Sequence, residues 1–264
     1  MMDEARRPGR RLVLAGGVLG FALGGFADGI LLHQVLQWHH FLSLVPGAAL
    51  RDIRAQILGD GAFHVAVYLV ALLGFWLLWR ARRDLALAGA GRWLLGTALL
   101  GFAAWQAVDV GLFHWIIGIH RVRVDVPDPL TWDIGWLLAT GLPPAAAGLW
   151  LIRRSGPPAG GRRGTAVAAC LAALILASAS VASLPPAGMS TVLVLFRPDL
   201  GPDASFAAAV AAGGRVVWSD PSGGLLAVDL SGGGSVWELY RRGALLVGRS
   251  ALTGGCLAWT RLPA

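Results

Sequence analysis

The sequence predicts an all-α bundle of five membrane-spanning helices, followed by a small α+β domain outside the membrane. Of the 264 residues, 56% are hydrophobic and only 14% are charged, which is typical of a polytopic membrane protein and not of a soluble domain. Five apolar stretches reach the length needed to cross a bilayer, about 20 residues. Near residue 190 short strand-like segments replace the long apolar ones.

The predicted spans are joined by short connections rich in Arg, Asp, Gly and Pro. They cover residues 13–38, 62–80, 93–118, 131–152 and 164–184. The first span carries small residues that allow a neighbouring membrane helix to approach closely. These residues are Gly16, Gly17, Gly20, Ala22, Gly24 and Gly25. No strand precedes them, so they do not form a dinucleotide-binding loop.

The arginines predict the orientation of the spans, because cytoplasmic loops carry an excess of basic residues. Clusters precede the first span and lie in the second and fourth connections: Arg6, Arg7, Arg10, Arg11, Arg80, Arg82, Arg83, Arg92, Arg153, Arg154, Arg162 and Arg163. The first and third connections hold only Arg51, Arg54, Arg121 and Arg123. We expect a cytoplasmic N-terminus and an extracytoplasmic C-terminal domain. Because the basic clusters flank spans, the pI near 11.0 does not indicate a nucleic-acid partner.

The segment after the fifth span predicts a small α+β domain. Strand-like runs at 191–196, 214–218, 224–229 and 244–248 alternate with helical runs at 203–212 and 235–242. This βαββαβ order is typical of a ferredoxin-like sandwich, for which we expect a docking role, with support of the bundle as the alternative. The predicted domains are a cytoplasmic tail (1–12), a membrane module (13–155), a cytoplasmic linker with the fifth helix (156–186) and the α+β domain (187–264). Cys170 and Cys256 predict neither a disulfide nor a thiolate metal site.

One pattern of ionisable residues occurs twice. An Asp is followed by a His five residues on and another His eleven residues on, first at Asp28, His33 and His39, then at Asp109, His114 and His120. The next span of each half also begins alike, with Asp60-Gly-Ala-Phe-His64 and Asp133-Ile-Gly-Trp-Leu137. The first four spans therefore predict a duplicated two-helix unit, and such repeats build sites between their halves.

The duplicated pattern predicts a transition-metal site. Ionisable side chains inside a membrane are costly and usually functional, and imidazole with carboxylate binds zinc, iron or Cu(II). The predicted topology places all six histidines on the outer side. The candidate ligands are His33, His39, His40, His64, His114, His120, Asp28, Asp60 and Asp109. Singly, such a His is more often hydrogen-bonded in a core, and Asp60 or Asp133 can be a helix N-cap. The repetition and the one-sided placement favour metal.

A straight helix rises about 1.5 Å per residue, which predicts three layers of candidate ligands. Asp28 and Asp109 form the deep layer, and His33, His114 and His64 form a middle layer that holds the tightest metal. The outer layer contains His39, His40, His120 and Asp60. On this geometry Asp28 lies roughly 16 Å below His39, so the two are not expected to share a metal.

Four blocks of sequence resemble a known family. They read Gly24-Gly-Phe-Ala-Asp-Gly-Ile-Leu-Leu-His-Gln-Val-Leu-Gln-Trp-His-His40, Asp60-Gly-Ala-Phe-His64, Gly118-Ile-His-Arg-Val-Arg123 and Trp132-Asp-Ile-Gly-Trp136. Over residues 12–152 the chain is similar to bacterial predicted integral membrane proteins, the domain of unknown function 2243. The resemblance implies a four-span module in a bacterial inner membrane, without an established activity. It also implies the company of respiratory oxidase assembly components, and hence copper or haem handling.

Three functions remain open on the sequence. The first is binding of a transition metal at the outer face of the bundle, for metal handling in respiratory oxidase assembly. The second is a membrane metalloenzyme, a hydrolase or oxidoreductase, acting on a lipid-soluble substrate. The third is a haem protein with two His ligands, drawn from His33 with His114 or His39 with His120. The lipid bilayer is an expected partner, and the sequence names no substrate.

Overall fold

A computed structural model describes residues 9–36, 38–51, 53–153, 162–183 and 190–248. Within them the chain divides into two compact units, a helical one that ends at Ala182 and a second that contains the C-terminal sheet. The predictions made for Arg6, Arg7, Arg154 and Cys256 lie outside the described residues.

The first unit consists of helices, three of which contain π-helical segments. In chain order they are α1 (Arg10–Asp28, continued by π-helical Gly29–Val35), α2 (Ala48–Arg51), α3 (Ile53–Arg80), a 3₁₀ turn (Arg82–Ala86), α4 (Ala90–Val108, continued by π-helical Asp109–Ile117), α5 (Pro129–Trp136), π-helical Leu137–Gly141, α6 (Leu142–Arg153) and α7 (Arg162–Ser183).

Five of the described helical stretches are long and apolar enough to cross a membrane. They are Arg10–Val35, Ala55–Arg80, Ala90–Ile117, Pro129–Arg153 and Arg163–Ala182. The five predicted spans are thus confirmed. The largest difference in boundary is at the second span, which begins at Ala55 rather than at residue 62 because the helix continues through the polar segment before Asp60.

Glycines bring α1 and α4 into backbone contact. A Cβ atom added at Gly20 would lie 1.8 Å from the carbonyl oxygen of Ala98, and one added at Gly101 would lie 1.9 Å from that of Gly17. No side chain fits at either position, so the two helices cross as small residues allow in membranes. The close packing predicted for the first span is confirmed, and it fixes the two π-helical ends beside each other.

The second unit is a four-stranded antiparallel sheet with two helices. Its elements are β1 (Thr191–Phe196), α8 (Pro202–Ala211), β2 (Arg215–Ser219), β3 (Leu225–Asp229), α9 (Val236–Arg241) and β4 (Ala244–Gly248). The strands lie in the order β2-β3-β1-β4. Val192, Val194 and Phe196 of the central β1 pack against Ala209 of α8 and Leu239 of α9. Alternate residues of β1 therefore face both helices, and the predicted order of elements is confirmed.

Candidate metal centre

The two π-helical segments explain the spacing of the first Asp and His of each pattern. A π-helix closes its hydrogen bonds from residue i to residue i+5, so side chains five residues apart lie one above the other. Asp28 and His33 stand in this relation at the end of α1, and Asp109 and His114 at the end of α4. In an α-helix the same spacing would place them on different faces.

Beyond each π-helical segment the chain turns back toward the helix that it has just left. The amide of Trp38 donates to the carbonyl of Leu32 at 3.0 Å, and at the corresponding place Ile119 donates to Phe113 at 3.1 Å. Gly118 has a φ of 75°, a conformation that glycine adopts without a steric penalty. These turns return His39 and His120 to the ends of α1 and α4.

Each copy of the pattern forms a triad. One ligand atom from each of Asp28, His33 and His39 lies within 4.8 Å of the other two. The second triad, Asp109, His114 and His120, meets the same limit. All six residues are at most 2% exposed.

The layered arrangement predicted from a straight helix is therefore wrong. Asp28 and His39 belong to the same triad, although about 16 Å was expected between their depths. The error has a physical cause: the chain does not continue as a helix to residue 39 but reverses after Leu36. The middle layer does not exist as a separate group, since His33 and His114 belong to different triads.

Hydrogen bonds fix the orientation of the triad imidazoles. The Nδ1 of His39 donates to the carbonyl of Val122 at 3.0 Å, and that of His120 donates to the carbonyl of Phe41 at 3.1 Å. A carbonyl oxygen only accepts, so in neutral His39, whose Nε2 makes no hydrogen bond within the described residues, the proton lies on Nδ1. His120 has an acceptor at both nitrogens, since its Nε2 lies 3.1 Å from Asp109 Oδ1. Burial lowers the pKa of His39 well below its usual value and also lowers the pKa of His120. Both rings are therefore neutral, the form that ligates metals.

The other two triad imidazoles are held by carboxylates. His114 Nδ1 lies 2.9 Å from Asp133 Oδ1, and His33 Nδ1 lies 3.1 Å from Asp60 Oδ1. A carboxylate on the far nitrogen of an imidazole is a frequent partner of metal-binding histidines, because it orients the ring and makes it more basic. In each of the four triad imidazoles, Nδ1 thus lies beside an oxygen outside the triad.

Close contacts join the three residues of the second triad. Both oxygens of Asp109 lie 3.1 Å from an imidazole Nε2, one from His114 and the other from His120. Each contact is a hydrogen bond when Nε2 carries a proton, and it joins two ligand atoms when a metal ion takes the place of that proton. Two ligands about 2.1 Å from a metal, at roughly 90–110° to each other, are about 3.0–3.4 Å apart. The observed separations suit a shared metal ion.

The first triad has unsatisfied polar atoms. Within the described residues, neither carboxylate oxygen of Asp28 makes a hydrogen bond, and neither does Nε2 of His33 or of His39. Buried polar atoms without a partner are rare in folded proteins and call for a missing ligand, water or ion. A metal ion would satisfy the atoms of all three residues together.

The centre also contains several carboxylates. Four carboxylates, those of Asp28, Asp60, Asp109 and Asp133, belong to it. In the part of the chain that the structure describes, Arg121 is the arginine that pairs with one of them, at 2.8 Å from Asp133. Burying several carboxylates in a membrane is unfavourable without compensating cations, which protonated imidazoles or divalent metal ions supply.

A second layer of contacts is matched between the two halves. The amide of Phe41 donates to Asp60 Oδ1 at 2.8 Å, and the amide of Val122 donates to Asp133 Oδ1 at 3.0 Å. The remaining oxygen of each carboxylate meets a basic side chain, His40 at 2.6 Å on Asp60 and Arg121 on Asp133. In each triad the first histidine contacts this carboxylate: His33 contacts Asp60, and His114 contacts Asp133.

The remaining candidates flank the triads without joining them. Asp60 contacts His33 of the first triad, and His40 contacts Asp60. The Nδ1 of His64 donates to the carbonyl of Asp60 on its own helix at 2.8 Å. Its Nε2 lies against the π-helical backbone, where a Cβ at Gly29 would come within 2.7 Å of it. His64 has no counterpart in the second half, where Leu137 occupies the equivalent position.

Some residues of the centre were missed on the sequence. Asp133 is completely buried inside α5, whose N-cap is Asp128. Its Oδ2 accepts from the indole of Trp115 at 3.0 Å as well as from Arg121. Asp60 likewise lies well inside α3, so the N-cap interpretation is wrong for both carboxylates. The repeat itself was the signal, because it aligns Asp133 with Asp60.

The fold and the site define a membrane protein with several apolar helices and two buried His/Asp groups that can bind metal. The chain belongs to the family described as Predicted membrane protein (DUF2243), whose model matches residues 15–155. The matched range contains every candidate ligand. No curated protein and no solved structure matches the chain.

Proposed function

We propose that this protein binds two transition-metal ions, one at each triad, at the extracytoplasmic end of its membrane bundle. The observation that carries the proposal is the convergence of one carboxylate and two imidazoles in each triad, with ligand atoms within 4.8 Å. The hydrogen bond on Nδ1 of His39 supports it, because it leaves Nε2 of that ring available for a metal. Three protein ligands leave open positions on each ion.

The ligand types restrict the metal. Each triad offers nitrogen and oxygen ligands and no sulfur, which suits iron, zinc or Cu(II) better than Cu(I). Two histidines and one carboxylate are also the ligand set of many non-haem iron(II) centres, in which open positions accept dioxygen or substrate. Iron is therefore the first metal to test.

The ring contacts favour ions over haem. His39 lies 4.7 Å from His33 and 4.6 Å from His120 between ring centroids, and His114 lies 4.8 Å from His120. Imidazoles that touch one another leave no room for the flat macrocycle that two His ligands would have to hold between them. A haem would require these rings to separate.

A duplication accounts for the matched halves. Position by position, the residues of the first triad recur 81 positions later in the second (109 − 28, 114 − 33 and 120 − 39). The partner of Asp60, Phe41, follows the same offset to Val122, the partner of Asp133. We infer that the four-span module arose from a two-span unit and that the site lies between its copies.

Two parts of the proposal concern the role of the protein. Metal handling for respiratory oxidase assembly is the role that the family resemblance suggests. Both triads are buried in a network of hydrogen bonds, which favours metal ions that stay bound. A metalloenzyme holds its metal in this way, whereas a protein that delivers metal must release it. We further propose that the βαββαβ unit is a ferredoxin-like sandwich on the extracytoplasmic side that serves in docking.

Elemental analysis of the purified full-length protein tests the proposal. We expect about two metal ions per chain, and a loss of about one in each of His33→Ala and His114→Ala, because a triad reduced to two ligands binds metal weakly. Asp125→Asn is the matched control, since this exposed carboxylate pairs with Arg123 away from the triads. Unchanged metal content in both His variants contradicts the proposal. A Soret band in the absorption spectrum of the wild type would show that the protein binds haem and not separate metal ions.

A further inference from the structure

An apolar cavity of about 260 Å³ lies between α1, α3 and α4. Its walls include Phe21 of α1, Val67 of α3 and Trp105 of α4. Two small side chains of α3, Ala62 and Ala66, also line it and are exposed. In a bilayer the cavity therefore opens toward lipid through the gap that these alanines leave.

The cavity adjoins the metal centre through three phenylalanines. Phe41, Phe63 and Phe113 line the cavity. The ring of Phe63 lies 5.1 Å from that of His33, and the ring of Phe41 lies 5.7 Å from that of His120. The rings of Phe41 and Phe63 thus lie between the cavity and a candidate ligand of each triad. A rotation of these side chains would connect the cavity with the metal centre.

A groove of about 510 Å³ continues the cavity away from the metal centre. It shares Phe21 and Val70 with the cavity and extends along α1 and α4 past Gly17 and Leu100. On α3 the cavity and the groove together extend from Ala62 to Leu73, about 16 Å of helix. This apolar, elongated path matches an extended hydrocarbon chain and not a compact polar molecule.

One polar atom of the cavity wall has no partner. The indole Nε1 of Trp105 makes no hydrogen bond within the described residues, although the residue is only 6% exposed. A buried donor of this kind is unfavourable unless something accepts from it. An oxygen atom on a molecule in the cavity would satisfy it.

We propose that the cavity and groove bind a membrane-soluble molecule with one hydrocarbon chain and an oxygen-bearing head group. The chain lies along α1 and α4, and the head group reaches the open positions of the metal pair past Phe41 and Phe63. This inference rests on the proposed metal centre and names the class of its substrate. Entry from the bilayer explains why the centre lies at the end of an apolar path and is closed to bulk water.

A photoreactive probe tests the proposal. The probe is a decyl hydroxamate with a diazirine at the end of its chain, since hydroxamate chelates metals and decyl matches the groove. In the full-length protein in lipid nanodiscs, labelling should concentrate at the end of the groove away from the metal centre, near Val70 and Leu73 of α3 and Leu14 of α1. Ala66→Phe fills the opening and should reduce labelling about tenfold, the order expected when a side chain overfills a site.

Ala147→Phe is the matched control, because Ala147 is an exposed alanine of α6 outside both spaces. Equal labelling of lipid-facing residues on all helices, or equal losses in the two variants, overturns the proposal. Chelation of the metal should also weaken labelling, and labelling that ignores the metal refutes the contact with the head group. If the purified wild type contains no metal, the metal centre is refuted. In that case, labelling that is lost in Ala66→Phe and kept in Ala147→Phe still supports the site for the hydrocarbon chain.

Discussion

His39 and His120 stack face to face, with their ring centroids 4.6 Å apart and their planes 8° from parallel. Each ring donates from Nδ1 to a backbone carbonyl of the opposite half, His39 to Val122 and His120 to Phe41. Each half thus orients a candidate ligand of the other. The contact ties the two triads into one structure, so we expect two ions close together, each held mainly by its own triad.

Replacement of the carboxylate behind a triad should weaken metal binding without removing a ligand. Asp133→Asn loses the charge that faces His114 Nδ1, and such changes usually reduce metal affinity by about 10–100-fold. Titration against a competing chelator should show one of the two dissociation constants raised. Asp128→Asn, which changes the exposed N-cap of α5, should leave both constants unchanged. Equal constants in wild type and Asp133→Asn would contradict the assigned role.

Removal of the metal should destabilise the wild type, and Asp28→Asn should reverse part of that loss. Without a cation, the carboxylate of Asp28 is buried and makes no hydrogen bond within the described residues. A neutral amide at this position avoids a buried charge, while it is a poorer metal ligand. We therefore expect the variant to melt above the wild type when both are metal-free, and below it when both are loaded. A variant less stable than the wild type in both states would argue against a cation at Asp28.

The close crossing of α1 and α4 makes Gly20 intolerant of any side chain. A Cβ there would meet the backbone of Ala98 at 1.8 Å, so Gly20→Ala must force the helices apart. Overpacking of this kind costs about 1–3 kcal/mol or more, and thermal unfolding in detergent should shift downward. In Gly17→Ala, on the same helix, the new Cβ has no neighbour within 4 Å. Its melting temperature should stay near that of the wild type.

The proposed orientation can be tested with single cysteines in a chain that lacks Cys170 and Cys256. Asp125→Cys places a thiol in the exposed connection after the second triad, and Arg83→Cys places one in an exposed arginine-rich connection. A membrane-impermeant maleimide added to intact cells should label the first variant. It should label the second only after the membrane is permeabilised. The opposite result would place the metal centre on the cytoplasmic side.

The spans and the convergence of the histidines were accessible from the sequence, because hydropathy and a repeated spacing are local signals. The π-helical segments were not, since an i to i+5 hydrogen-bond pattern leaves no mark in composition. The spacing of five between Asp28 and His33 was the available sign, and its meaning depends on a helix type that is rare in proteins. The reversal that returns His39 depends on a tertiary contact with Val122, which no local pattern encodes.

The crossed bonds between His39 and Val122 and between His120 and Phe41 also impose an order on biogenesis. When the first two helices emerge from the ribosome, the carbonyl that orients His39 has not yet been synthesised. If the triads bind metal as proposed, neither ion is held in its final geometry until the connection after the third helix has been made. We therefore predict that a chain stalled on the ribosome before residue 122 holds less metal than the complete chain.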